Sequence, residues 1–362
     1  MSESLDRVKA LASRLARTQF FWGVLVIVLL LMLDLAKDPG YLSITYGPEV
    51  GGLVGNVVDI LKLSAPILMI SLGMVFVIAT AGIDLSVGSV MAVAGAIALQ
   101  NLYQSPDPSS FASVASSVAL GLVAGLAIGL VNSVLVSVVG LQPFVSTLVM
   151  MMAGRGLAKV ITGGQNTSVQ GSGGYHWIAN GYVLGLPVVF LIALSILAVV
   201  AVIVRRSALG MMIESVGINP RASRMAGIQP RGLLITVYAL SGLLAAVAGI
   251  MATSTVNTID VAKTGYSMEM DAILAVVVGG TSLAGGKFSI SGTVVGGLLI
   301  ATLNKTVLFL GVPAEATPVF KATIIIVICL LQSARIRALF QRRRRGTPSA
   351  AIPSAHKEAA AA

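Results

Sequence analysis

The sequence predicts an all-α integral membrane protein, and three observations carry that prediction. Of the 362 residues, 56% are hydrophobic and 10% charged, against about 45–50% and about 25% in ordinary soluble domains. Apolar runs recur from Phe20 to Leu331, and a bilayer core about 30 Å thick takes roughly 20 such residues per helix. Lysine and arginine concentrate in the connections that an alternating chain leaves on one side, as the positive-inside rule requires.

About ten spans are expected, near 19–36, 62–81, 84–101, 112–139, 143–162, 185–204, 232–253, 268–284, 288–310 and 318–334. The first follows a head carrying Arg7, Lys9, Arg14 and Arg17. Its apolar stretch is long and no small-x-small cleavage site follows Asp34, so it reads as an uncleaved anchor rather than a signal peptide. Four basic residues lie in that head, five between Arg205 and Arg231, one at Lys287 and seven from Arg335 onward. These seventeen of 24 fall on one side when both termini are cytoplasmic. The organisation is then a basic head (1–18), a single transmembrane domain (19–334) with a polar loop at 205–231, and a basic, then Ala, Pro and Ser-rich tail (335–362). Arg342 to Arg345 either anchors the topology or meets anionic headgroups. In the long fourth run, Gly121, Gly125 and Gly129 share one helix face, where small residues let two helices approach closely.

Composition also excludes classes. Cys329 is the one cysteine, and His176 and His356 are the two histidines, so neither an internal disulfide nor a metal cluster is expected. The net charge of +10 flanks apolar runs with no aromatic-basic motif, which argues against a nucleic-acid partner. Ser282 in GTSLA (Gly280 to Ala284) lacks a neighbouring base for nucleophilic chemistry, because His176 falls in an external loop and His356 in the tail. A phosphate-cradling G-x-x-x-x-G-K-[ST] loop does not occur. Gly280 to Phe288 comes nearest, but Lys287 is out of register and Phe288 has no hydroxyl.

Between the sixth and seventh spans the polar stretch from Arg205 to Arg231 predicts two short helices. Ala208 to Val216 carries Met211, Met212 and Val216 on an apolar side, with Gly217 supplying a left-handed terminator. Asn219 is then the N-cap, Pro220 the first helical residue and Gly227 the next terminator. A helix this short is marginal alone and needs a surface to dock on.

Three stretches carry a family resemblance. The loop residues Glu214, Gly217, Asn219, Ala222, Ala226, Gly227 and Ile228 fit E-A-x-G-x-N-x-x-A-A-x-x-A-G-I, with Ser215 and Ser223 replacing two alanines. AGIDLSVGS from Ala81 is similar to G-G-I-D-L-S-V-G-S, and Tyr266 to Lys287 is similar to a Y-E-L-D-A-I-A-A-V-V-x-G-G-T-S-L-x-G-G segment. With Gln142 to Leu148, these resemble the inner-membrane permeases of ATP-binding-cassette importers for ribose, xylose, galactose and related sugars, the galactofuranose type above all. The resemblance implies a type II importer-like bundle in the bacterial inner membrane. It further implies that Pro220 to Ala226, with Arg221 and Arg224, docks on a separate ATPase subunit that binds ATP and Mg²⁺. A periplasmic sugar-binding protein and a second permease, identical or paralogous, are the other implied partners.

Ionisable residues in spans cost about 2.5–3.5 kcal/mol each on insertion scales and face a cavity or a partner. Asp84, Arg155, Lys159, Glu269, Asp271, Lys305 and Lys321 are in this position. Asp84 either caps the third span through amides of Leu85 to Val87 or lines a path. Candidates for polar groups along a sugar path are Asp84, Ser86, Asn132, Gln142, Phe144, Thr147, Glu269, Asp271 and Asn304, each of which serves equally in joining helices. The external segment Gly163 to Tyr182, with Tyr175, His176 and Trp177, either receives a delivery protein or rests at headgroup level. By composition alone, an ion-coupled secondary transporter of small polar solutes fits as well as an importer subunit.

Overall fold

The computed structural model describes residues 19–313 and 316–332. The basic head, the tail with Arg342 to Arg345, and His356 lie outside the described residues.

Each apolar run becomes a helix, because in lipid a backbone must satisfy its own hydrogen bonds. In chain order α1 spans Gln19–Lys37, and a ribbon of β1 (Thr45–Gly47) and β2 (Gly52–Val54) follows. Next come α2 (Asn56–Ala79), α3 (Val87–Gln104), α4 (Phe111–Val134) and α5 (Pro143–Ile161). A π-turn over Leu135–Val139 prolongs α4, and Gly140 in the left-handed region turns the chain toward α5. Then follow β3 (Thr167–Ser168), the short α6 (Gly173–Asn180), β4 (Tyr182–Val183), β5 (Leu186–Pro187) and α7 (Val188–Arg206). Two short helices, α8 (Leu209–Ile218) and α9 (Pro220–Met225), precede α10 (Pro230–Ser254) and β6 (Thr258–Ile259). The chain ends in α11 (Met268–Val278), α12 (Ile290–Leu310) and α13 (Thr317–Gln332).

Six of these helices are individually long and apolar enough to cross a membrane: α2, α4 with its π-turn, α5, α7, α10 and α12. α2 forms the centre, 78% of its apolar window being buried, whereas α5 and α7 bury 22%. The antiparallel ribbons β1·β2, β3·β6 and β4·β5 all connect helices at one end of the bundle, here the ribbon end. The segment with α8 and α9 lies at the opposite, loop end.

The glycine face of α4 packs as expected. A Cβ at Gly121 would lie 2.9 Å from the Ala94 carbonyl oxygen of α3. One at Gly125 would lie 2.7 Å from the Gly242 oxygen, and one at Gly129 2.6 Å from the Tyr238 oxygen, both on α10. Side chains there would push the helices apart.

The eighth span is shorter than 268–284. α11 has 11 residues, which at 1.5 Å per residue covers about 16 Å, roughly half the hydrocarbon core. Gly280, Gly285 and Gly286 have φ of 94°, 84° and 92°, which no helix can propagate through, so the chain turns before α12. The third span likewise begins at Val87 rather than 84, after the irregular, largely buried link from Thr80 to Ser86.

Candidate functional site

At the loop end the sequence punctuation produces α9 much as expected. The Asn219 side-chain oxygen accepts the N–H groups of Arg221 and Ala222, both at 3.1 Å. Pro220 occupies the first turn, and Gly227 closes it with φ 86°. Arg221, Ala222, Arg224, Met225, Ala226 and Gly227 are exposed, with Met225 92% accessible. Ser223 alone in this helix turns inward, donating its hydroxyl to the Asn219 carbonyl at 3.0 Å.

Two details of α8 correct the sequence reading. Gly217 is not a left-handed terminator, since the helix continues to Ile218 and stops at the extended Asn219. Its lack of a Cβ serves close approach instead: a Cβ there would overlap the Ala79 carbonyl oxygen and lie 2.6 Å from the Gly286 nitrogen. Gly286 N–H in turn donates to the Ala79 oxygen at 2.9 Å. The helix phase also differs, because Ile213 and Val216 are buried while Met211 and Met212 face outward. Glu214 is half-buried between these two faces. α8 is thus clamped to the end of α2 and to the turn before α12, and it presents α9 outward.

Deeper in the bundle, four segments bring a set of predicted residues together. One Asp84 carboxylate oxygen accepts the Ser86 N–H at 3.0 Å and the Ser86 hydroxyl at 2.6 Å. The other accepts the Ser241 hydroxyl of α10 at 2.8 Å. Ser86 Oγ also accepts from the Asn132 side-chain amide of α4 at 2.8 Å. Thr147 of α5 accepts the Leu85 N–H and donates to the Ile83 carbonyl, both at 3.1 Å. Asp84, Ser86, Asn132, Thr147 and Ser241 are all buried. Of the three amides expected for an Asp84 cap, the carboxylate takes that of Ser86, and Thr147 takes that of Leu85. Hydrogen bonds contribute about 0.5–1.5 kcal/mol each net, and more is lost when a buried partner is stranded, so the cluster fixes the irregular link where α3 begins.

The other ionisable residues are also held. Arg155 of α5 donates to the carbonyl oxygens of Thr264 and Gly265 at 2.6 and 2.7 Å, tying down the segment that leads into α11. Glu269 is buried beside Gly88, and its Oε2 has no hydrogen-bond partner among the described residues. Asp271 pairs with Lys321 at 3.0 Å, and Lys305 with Asp59 at 2.6 Å. Thr306 donates to the buried Asp34 at 2.6 Å. Lys159 is exposed in the last turn of α5. Gln142 and Phe144 are exposed at the start of α5, outside the buried cluster. Asn304 lies apart from it too, on the wall of a cleft near the ribbon end. Asp34, Asp59, Ser241 and Thr306 were not singled out from the sequence, since their partners are far away in the chain.

The segment expected to be an external loop contains α6. Tyr175 is buried and shares a 2.7 Å hydrogen bond with Thr253, whereas His176 and Trp177 are exposed. Among the described residues no group of His, Cys, Asp and Glu could hold a metal ion.

A helical bundle with broken, polar-centred spans and a capped helix presented at one end is the architecture of a multi-pass membrane protein. Residues 56–329 match the family described as "Branched-chain amino acid transport system / permease component". The chain belongs to this permease family. It is 50% identical over 335 residues to the fructose import permease of Bifidobacterium longum, covering 92% of each chain. To the galactofuranose transporter permease of Escherichia coli it is 39% identical, over 88% of this chain and 91% of that one. To the ribose import permease of E. coli K12 it is 37% identical, over 77% and 86%. No solved structure matches the chain.

Proposed function

We propose that this chain is the membrane subunit of an ATP-binding-cassette importer that carries a monosaccharide across the bacterial inner membrane. The observation that carries the mechanism is the pairing of α9, exposed on the surface, with α8, clamped by Gly217 against Ala79 and Gly286. A cytoplasmic ATPase subunit, binding ATP and Mg²⁺, grips Pro220 to Ala226 with Arg221 and Arg224. Its movement passes through α8 to the end of α2 and to the turn between α11 and α12. The Lys and Arg distribution supports placing the loop end and both termini in the cytoplasm. A periplasmic sugar-binding protein then delivers cargo at the ribbon end, and a second permease subunit completes the path. The sugars named for the relatives, fructose, galactofuranose and ribose, support a ketose or aldose monosaccharide as cargo, with fructose the first to test.

Affinity purification of the tagged chain from its native host tests this reading. An ATPase subunit in stoichiometric amount that cross-links through a cysteine placed at Met225 supports it. A chain that purifies without any ATPase and still transports contradicts it.

A further inference from the structure

Between β6 and α11, residues 260–267 run through the bundle as neither helix nor strand. Asp260 turns this segment by accepting the Ala262 and Lys263 N–H groups at 3.0 and 3.1 Å, and Gly265 and Ser267 adopt φ of 68° and 57°. Such a backbone leaves carbonyls outside any helical ladder, and in a membrane protein it persists only where protein or water satisfies them. The partner here is Arg155, in the second half of α5. Its two terminal nitrogens take one carbonyl each, those of Thr264 and Gly265, at 2.6 and 2.7 Å.

Close backbone approaches bring a carboxylate to the same spot. A Cβ at Gly154, next to Arg155, would lie 2.6 Å from Ser89 Oγ of α3. One at the neighbouring Gly88 would overlap the Gly265 carbonyl oxygen and lie 2.5 Å from Glu269 Oε2, so these two oxygens flank a single point. Glu269 is 9% exposed, and its Oε2 has no hydrogen-bond partner among the described residues. The ion pairs among those residues, Lys263–Asp260, Lys305–Asp59 and Lys321–Asp271, leave it out. A buried charge needs a counter-charge, and the guanidinium bonded to Gly265 is the cation that shares its surroundings.

In carriers with broken helices, unwound carbonyls within the membrane coordinate a mobile coupling ion. We propose that the break before α11 is a site of the same chemistry, two carbonyl oxygens and the Glu269 carboxylate, for a planar cation that the chain supplies itself as the Arg155 guanidinium. Arg155 is a positioning residue there: it sets the start of α11, whose other end leads into the turn carrying Gly286. The link to that clamp rests on the importer reading, and the site itself does not.

Chemical rescue tests the site in the full-length chain purified in detergent. Arg155→Ala should melt several degrees below the parent, and guanidinium chloride at concentrations far below those that denature should restore most of the loss along a saturable curve. Sodium chloride at the same ionic strength and urea at the same concentration should restore little, since sodium lacks the planar fork of donors and urea the charge. Adding Glu269→Gln to Arg155→Ala should raise the half-saturating guanidinium concentration several-fold. Arg155→Gln, which keeps amide donors without the charge, serves where the alanine variant yields no folded chain, and it should melt below Arg155→Lys. A parental melting temperature in Arg155→Gln would overturn the site, as would equal rescue of Arg155→Ala by sodium or urea, or no rescue by guanidinium. An unchanged half-saturating concentration with Glu269→Gln would overturn the part given to the carboxylate. These melts use neither ATP nor sugar, so their failure leaves the importer reading standing, and a failure of that reading leaves the site standing.

Discussion

Replacing Gly217 by alanine isolates the clamp that joins the exposed helix to the bundle. The new Cβ would overlap the Ala79 carbonyl oxygen, and it would lie 3.0 Å from that residue's carbonyl carbon and 2.6 Å from the Gly286 nitrogen. All three are backbone atoms, so no side chain can swing aside. Overpacking of this kind costs about 1–3 kcal/mol. Separating Gly286 N–H from the Ala79 oxygen adds about 1 kcal/mol. A total of about 2–4 kcal/mol lowers the clamped population relative to the detached one by a factor of roughly 30 to 1,000. In the assembled complex ATP hydrolysis should persist, because the α9 surface is untouched, while sugar taken up per ATP falls at least ten-fold. Gly227→Ala is the control: it strains a left-handed residue by about 1–2 kcal/mol, with nothing within 4 Å of the added carbon, and should leave the clamp intact. A Gly217→Ala complex with the parental ratio of uptake to hydrolysis and an unchanged melting temperature would refute the clamp.

Other substitutions probe the remaining contacts. Asn219→Ala removes the acceptor for two amides and should weaken α9 by about 1 kcal/mol, read as weaker ATPase binding in a titration of the purified subunits. Asp84→Ala strands the Ser86 amide and the Ser241 hydroxyl, and should lower stability by about 2–4 kcal/mol, with Asp84→Asn milder; thermal melts in detergent separate the two. Lys321→Met leaves the buried Asp271 unpaired and should cost about 3 kcal/mol or more. The double variant Asp271→Asn, Lys321→Met should recover most of it, and a double variant no more stable than the single one would mean that the ion pair is not the relevant contact.

The spans were legible because each apolar run imposes its own helix, and α9 was legible because Asn219, Pro220 and Gly227 punctuate it locally. Contacts across the fold were not. Asp84 meets Ser241 at a separation of 157 residues, Arg155 meets Gly265 at 110, and Lys305 meets Asp59 at 246. Nothing in local pattern pairs such residues. The half-length of α11 was hidden because Leu283 and Ala284 carry apolar residues past Gly279 and Gly280, and hydropathy does not distinguish an irregular turn from a helix. Gly217 was misread for a related reason: a missing Cβ permits either a left-handed backbone or a close approach, and only the neighbours Ala79 and Gly286 decide. The path candidates divide likewise, with Asp84, Ser86, Asn132 and Thr147 gathered in one cluster, Asn304 on a cleft, and Gln142 and Phe144 on the surface.

Uptake in reconstituted vesicles tests most directly whether this chain depends on an outside source of energy. Proteoliposomes containing the chain with its ATPase and delivery protein should accumulate labelled sugar only with ATP, and vesicles containing the chain alone should accumulate none under a proton or sodium gradient. Uphill accumulation by the chain alone would contradict the importer mechanism and make it an ion-coupled transporter.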